Sequence, residues 1–185
     1  MRVKKITELN RITIEEFKNE RKTPLIIVLD NVRSLNNIGS VFRTSDAFLI
    51  ESIYLCGITA TPPNVEIHKT ALGAENSVNW RFFEKTEDAL SYLKSEGFNV
   101  YAVEQAEGSV MLDNLTLNKE AKYAVILGNE VKGVSQQVVN LCDCCIEIPQ
   151  YGTKHSLNVA VSAGIVLWQM MCLFNGKLKT ENGKK

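Results

Sequence analysis

Apolar residues in this chain fall into short unbroken runs separated by stretches of helical period. Leu25-Ile26-Ile27-Val28-Leu29-Asp30, entered through Pro24, has the continuous apolar character of a strand buried on both faces. Further runs at Ser52–Cys56, Val78–Phe83, Asn99–Val103, Tyr123–Leu127 and Cys145–Ile148 predict more strands. Helical spacing intervenes at Ile38–Leu49, Thr86–Glu96, Ser135–Leu141 and Ser156–Phe174, and a short charged helix at Ile14–Arg21 has Thr13 as its N-cap. Strands alternating with helices predict an α/β domain whose mainly parallel sheet is flanked by helices.

The chain has 185 residues, 45% of them hydrophobic, and no net charge, which suits one domain with its own core and excludes disorder as its main state. The neutral total hides basic ends. Residues 1–22 and 176–185 each sum to +3, leaving −6 on the body between them, so the body lacks the basic footprint of a nucleic-acid binder. An RNA partner would therefore need a local contact or the two ends. Five cysteines in no disulfide spacing, and a first decapeptide with no apolar segment, point to a reducing cytoplasm. Cys142-Asp143-Cys144-Cys145 lacks the second ligand pair of a zinc site, so no metal is expected. Leu157–Phe174 runs eighteen residues without a formal charge. Asn158, Ser162 and Gln169 interrupt it, and it reads as a helix buried in a core or between subunits, with no membrane span expected.

Ligands of open α/β sheets bind beyond the carboxyl ends of the strands, and three such ends carry polar, glycine-containing segments. After Asp30, Asn36 or Asn37 is placed to cap a helix whose apolar side gathers Ile38, Val41, Phe42 and Ser45, with Arg43 near the centre of the opposite side. Gly128-Asn129-Glu130-Val131-Lys132-Gly133 imitates a Walker loop without its lysine, so phosphoryl transfer is not expected; a tight turn carrying a carboxylate remains. Ile148-Pro149 leads through Gly152 to His155-Ser156-Leu157-Asn158, with Ser156 as the expected N-cap of the apolar helix. A hydrolase is disfavoured there because the G-x-S-x-G elbow is missing.

In this order, Asn37-Ile-Gly-Ser-Val-Phe-Arg43-Thr, Ile126-Leu-Gly128-Asn-Glu130-Val-Lys-Gly133 and Ile148-Pro149 through Ser156-Leu157-Asn158 resemble the three motifs of the SpoU/TrmH-type RNA 2′-O-ribose methyltransferases of the SPOUT class. The resemblance covers roughly Pro24 to Leu173. It implies an α/β fold with a C-terminal trefoil knot, homodimers, and methyl transfer from S-adenosylmethionine to a ribose 2′-hydroxyl of tRNA or rRNA. By the same resemblance Asn37, Arg43, Glu130, Ser156 and Asn158 are catalytic, and Val103, Glu104, Gly128, Ile148 and Leu157 hold the cofactor. The family mechanism gives the base role to the arginine matching Arg43; because arginine stays protonated in proteins, orienting phosphate and steadying a developing alkoxide is the alternative.

The expected layout is a basic extension over 1–23, the catalytic domain over 24–175 and a basic tail over 176–185. The insertion Ile58–Asn79 is a packed loop and short helix by one reading and an RNA contact by the other. A non-catalytic RNA-binding homodimer of the same fold, and a protein anchored by its last helix, are the rival functions.

Overall fold

The computed structural model describes residues 1–176; the basic tail expected over 176–185 lies, apart from Gly176, outside the described residues. Helix α1 (Ile14–Asn19) opens with a capping box, in which Glu16 N–H donates to Thr13 Oγ1 and Thr13 N–H to the Glu16 carboxylate. Then follow β1 (Thr23–Asp30), α2 (Leu35–Ala47), β2 (Ile50–Cys56), α3 (Val65–Ala71), α4 (Ala74–Ser77), β3 (Asn79–Phe83) and α5 (Thr86–Ser95). The second half adds β4 (Phe98–Val103), β5 (Val110–Met111), β6 (Lys122–Leu127), α6 (Gln136–Val139), β7 (Cys144–Glu147) and α7 (Val159–Phe174).

The seven strands form one sheet in the order β3-β2-β1-β6-β4-β7-β5, and every neighbouring pair is parallel. β1 shows why its apolar run is unbroken. Leu25, Ile27 and Leu29 face one core together with α2 and α7; Ile26 and Val28 face a second core with α5 and α6. A strand with helices on both faces has no solvent side, so neither alternate set is polar. β6, next to it, divides in the same way, Val125 and Leu127 to the first core and Ala124 and Ile126 to the second.

Three expectations are corrected. α2 starts two or three residues earlier than Asn36 or Asn37 would place it, because Ser34 is its N-cap and accepts from Asn37 N–H at 3.3 Å. α7 starts at Val159 and is capped by Asn158, not Ser156. The two-residue edge strand β5 was not expected, since a pair of residues carries no periodicity.

The insertion between β2 and β3 packs as α3 and α4, with α3 laid closely on α2. A Cβ at Gly39 would lie 2.3 Å from the Ile67 carbonyl oxygen and 2.2 Å from Thr70 Oγ1. Thr70 Oγ1 also donates to the Asn36 carbonyl at 3.0 Å, so side chain and backbone both fix this crossing. Gly39→Ala is expected to cost about 1–3 kcal/mol, as other overpacked contacts do, read as a lowered urea midpoint.

No described helix is long and apolar enough to cross a membrane. α7 is apolar on all sides nonetheless. Val159, Ala163, Val166, Leu167 and Met170 are buried, while Val161, Ile165 and Trp168 stand exposed in one stripe at intervals of four and three residues.

Candidate active site

The carboxyl ends of β6, β4 and β7 surround a cavity of about 1120 Å³. Val103, Glu104, Gly128, Ile148 and Leu157, the residues expected to hold a cofactor, all line it. Glu130, Ser156 and Asn158 line it as well.

The wall between β6 and α6 is a turn that only glycine permits. Gly133 has φ +65°, and a Cβ there would sit 2.1 Å from Glu104 Oε2. Gly128 meets the far side of the same turn, where a Cβ would lie 2.2 Å from the Gly133 carbonyl carbon. Asn129 and Gly133 close the turn with reciprocal backbone bonds of 3.2 and 2.8 Å. Glu104 then fastens it to the loop after β4: Val134 N–H donates to one carboxylate oxygen at 2.9 Å and Gln105 N–H to the other at 2.9 Å. Across the opening, Gln105 Nε2 donates to the His155 carbonyl at 2.5 Å, tying that loop to the segment before α7.

The closed turn aims Glu130 at the start of α2. Arg33 N–H donates to Oε2 at 3.0 Å and Ser34 N–H to Oε1 at 2.9 Å, so the carboxylate satisfies amides that the helix itself leaves unpaired, at the positive end of its dipole. Asn37 Nδ2 adds a third bond to Oε1 at 3.1 Å. Burial alone would push the Glu130 carboxyl up; the bonds from Arg33 and Ser34 N–H, from its own backbone amide and from Asn37 outweigh it and hold the group below the ordinary carboxylate range.

From Asn37 the chain of bonds continues. Asn158 Nδ2 donates to Asn37 Oδ1 at 3.1 Å, while Asn158 Oδ1 accepts from Ala160 and Val161 N–H at 2.9 and 3.3 Å as the cap of α7. Glu130, Asn37 and Asn158 thus join the starts of α2 and α7 through bonds that span 93 residues (Glu130–Asn37) and 121 residues (Asn158–Asn37) of sequence.

Two expected site residues stand outside this network. Ser156 faces the cavity with no side-chain hydrogen bond among the described residues. Arg43 lies on the exposed side of α2, about 9 Å along the axis from Asn37; it lines no part of the cavity and makes no side-chain bond among the described residues. Sequence reasoning missed Asn129, whose Nδ2 donates to the Asn31 carbonyl at 2.8 Å and pins the glycine turn to the end of β1. An asparagine between two glycines was the available signal.

The SpoU rRNA Methylase family profile matches residues 24–168, from the first residues of β1 into α7. The chain belongs to that family. This SpoU chain is 32% identical over 163 residues to a tRNA (guanosine(18)-2′-O)-methyltransferase of Thermus thermophilus, covering 88% of the chain and 82% of the relative. It is 31% identical over 166 residues to the 23S rRNA (guanosine-2′-O-)-methyltransferase RlmB of Nitrosomonas europaea, covering 89% of the chain and 63% of that protein. Among solved structures, the TrmH/SpoU tRNA modifying enzyme of Aquifex aeolicus superposes with a TM-score of 0.77 at 26% identity, over 89% of this chain and 83% of that one. An AdoMet-bound rRNA methyltransferase from Sinorhizobium meliloti gives 0.74 at 28% identity, over 83% of this chain; the SpoU chain spans only 58% of that protein.

Proposed function

We propose that this protein transfers a methyl group from S-adenosylmethionine to a ribose 2′-hydroxyl of tRNA or rRNA. The observation that carries the reading is the joined set Glu130–Asn37–Asn158 at the edge of the cavity bounded by the Gly128–Gly133 turn. The named activities of the Thermus and Nitrosomonas relatives and the AdoMet-bound Sinorhizobium structure support it.

The cavity fits that cofactor by the chemistry of its lining. Val103, Leu127, Ile148 and Leu157 offer apolar surface to a flat heterocycle, the Gly128 backbone is open to close approach, and Glu104 and Gln105 are polar at the rim. When bound, S-adenosylmethionine supplies a sulfonium methyl carbon for in-line displacement. The protein's own task is to hold a weak nucleophile in line and help it shed a proton. Arg43 orients a substrate phosphate and stabilises charge growing on the 2′-oxygen. Ser156 and Asn158 position the ribose at the cavity mouth, and Glu130 and Asn37 hold the helix starts on which those groups depend.

Two further features belong to this reading. The Val161–Ile165–Trp168 stripe, with an apolar hollow of about 490 Å³ beside it, is the surface on which a second copy packs. Trp168 meets Phe48 at the end of α2 in a tilted contact, ring centroids 5.9 Å apart, so the stripe adjoins the helix that bears Arg43. Trp168→Asp is expected to turn a dimer into monomers in sedimentation. The chain after β6 forms a trefoil knot; the insertion of β6 between β1 and β4, with β7 on the far flank of β4, supports this crossing. A tracing of the chain in a crystal structure checks it.

The activity test supplies S-adenosylmethionine labelled on the transferred methyl, with unmodified tRNA and rRNA. Label recovered as a 2′-O-methyl nucleotide is the expected result. Cofactor binding with no transfer to either RNA would overturn the proposal and favour a non-catalytic RNA-binding homodimer.

A further inference from the structure

A second pocket, of about 460 Å³, lies at the opposite edge of the sheet, where the segment before α3 meets α4 and the start of β3. We infer that it is a subsite for one unpaired nucleobase of the RNA, outside the cofactor cavity; the inference rests on the RNA-methyltransferase reading above.

Its apolar lining includes Pro62, Pro63 and Trp80, the last exposed to 37%. Its polar groups are partly unused. Asn64 spends its Oδ1 capping α3, by accepting from Glu66 and Ile67 N–H at 2.9 and 3.3 Å, while its Nδ2 has no partner among the described residues. Asn76 makes no side-chain hydrogen bond among the described residues, so it offers both a donor and an acceptor. His68 is clamped through Nδ1 to Glu75 at 2.5 Å, leaving its Nε2 unpartnered among the described residues. Glu75 is the fixed end of that clamp, with only 9% of its side chain exposed. Burial tends to raise its carboxyl, and bonds from His68 and the nearby backbone outweigh this and keep it ionised.

A stacking ring, amide edges and an oriented imidazole are what single-stranded base recognition uses. The volume is within the range of small-molecule pockets. Among the described residues no lysine or arginine lines the pocket, which favours a base over a phosphate. The subsite is also rigidly tied to the catalytic machinery. α3, which contributes Val65 and His68, is locked on α2 by the Gly39–Ile67 approach and the Thr70–Asn36 bond, and α2 carries Asn37 and Arg43. β3 lies two strands from β1, about 10 Å across the sheet. A base held there is therefore not the one whose ribose is methylated.

The test uses the full chain saturated with S-adenosylhomocysteine, and oligoadenylate and oligouridylate of about six nucleotides. Trp80→Ala is expected to weaken oligonucleotide binding about tenfold or more, in line with the loss of one stacked base, with cofactor affinity unchanged. Trp80→Phe should restore most of the binding. Asn76→Ala, at an exposed position, should weaken it without lowering the thermal midpoint, which keeps the test decisive even if Trp80→Ala folds poorly. His68→Ala should weaken it too, with a lowered midpoint because the buried Glu75 carboxylate loses its partner. Photocrosslinking of the same RNA to the unaltered protein should mark the Trp80 segment. Wild-type affinity in the Asn76 and His68 variants, crosslinks confined to other surfaces, or a pocket that takes a proline-rich or arginine-containing peptide in place of RNA would overturn the inference. Failure here alongside intact cofactor binding and methyl transfer would leave the catalytic reading standing.

Discussion

Arg43→Ala should bind S-adenosylmethionine as the parent does and lose methyl transfer by at least about a hundredfold, the scale of removing a group that stabilises a developing oxyanion. The separation of the two effects follows from position. Arg43 is exposed on α2 and touches no wall of the cofactor cavity, so its removal leaves the cavity intact. The same position leads to a second result. In the proposed homodimer, a guanidinium that does not line its own chain's cavity, on a helix flanked by the exposed apolar stripe of α7, would serve the cavity of the second copy. Mixing Arg43→Ala with Glu130→Ala chains should then recover activity, because one cavity in each mixed dimer keeps its Glu130 and receives an intact Arg43 from the other chain. Titrating one inactive variant into the other measures this. A mixture as inactive as its components would show that Arg43 works within its own chain.

Glu130→Ala should damage stability and activity together. It removes the acceptor for Arg33 N–H, Ser34 N–H and Asn37 Nδ2 at once; the first two bonds are exposed and the third is partly buried. Loss of a helix-start acceptor, with the amides left to solvent, costs about 1–2 kcal/mol, read from urea unfolding. Transfer falls further than stability implies, because Asn37 loses the partner that fixes its amide and Asn158 loses the end of its chain. Glu130→Gln keeps one acceptor oxygen and should be intermediate in stability. The pH dependence has a definite sign. The folded protein holds this carboxyl below its ordinary range, so the unfolded chain binds the proton more readily. The contribution of Glu130 is complete above the ordinary carboxylate range and declines as pH falls through the lowered folded value. The parent should therefore lose more stability on acidification than Glu130→Gln does.

The sequence carried the layers of the fold and the order of the site segments, because both are written in local pattern. The run Leu25–Leu29 announces a strand with two covered faces, and helical spacing identified the three long helices α2, α5 and α7 as well as the short α6. Helix starts were not legible, and the reason is tertiary. Ser34, Asn36 and Asn37 can all cap a helix; Glu130, almost a hundred residues later, takes the amides of Arg33 and Ser34 and so releases Asn37 for its bond to Asn158. Likewise Ser156 and Asn158 are equivalent as caps until Asn37 selects the second. Glu104 was placed at the cavity by resemblance alone, and its bond to Val134 N–H across the glycine turn depends on a contact no spacing rule contains. The insertion after β2 had no strong period, and its packing on α2 depends on the missing side chain at Gly39.

The place of β6 between β1 and β4 has a consequence for how the polypeptide emerges during synthesis. Leu25 pairs with Tyr123, so one flank of β1 keeps its peptide groups open until nearly a hundred further residues have left the ribosome. The first half of the molecule must wait, apolar and unzipped along that flank, for a late strand to enter its middle. Such long-range closure is slow and leaves a nascent chain prone to sticking, which makes the stretch of translation before Lys122 the period when this protein most needs chaperone cover.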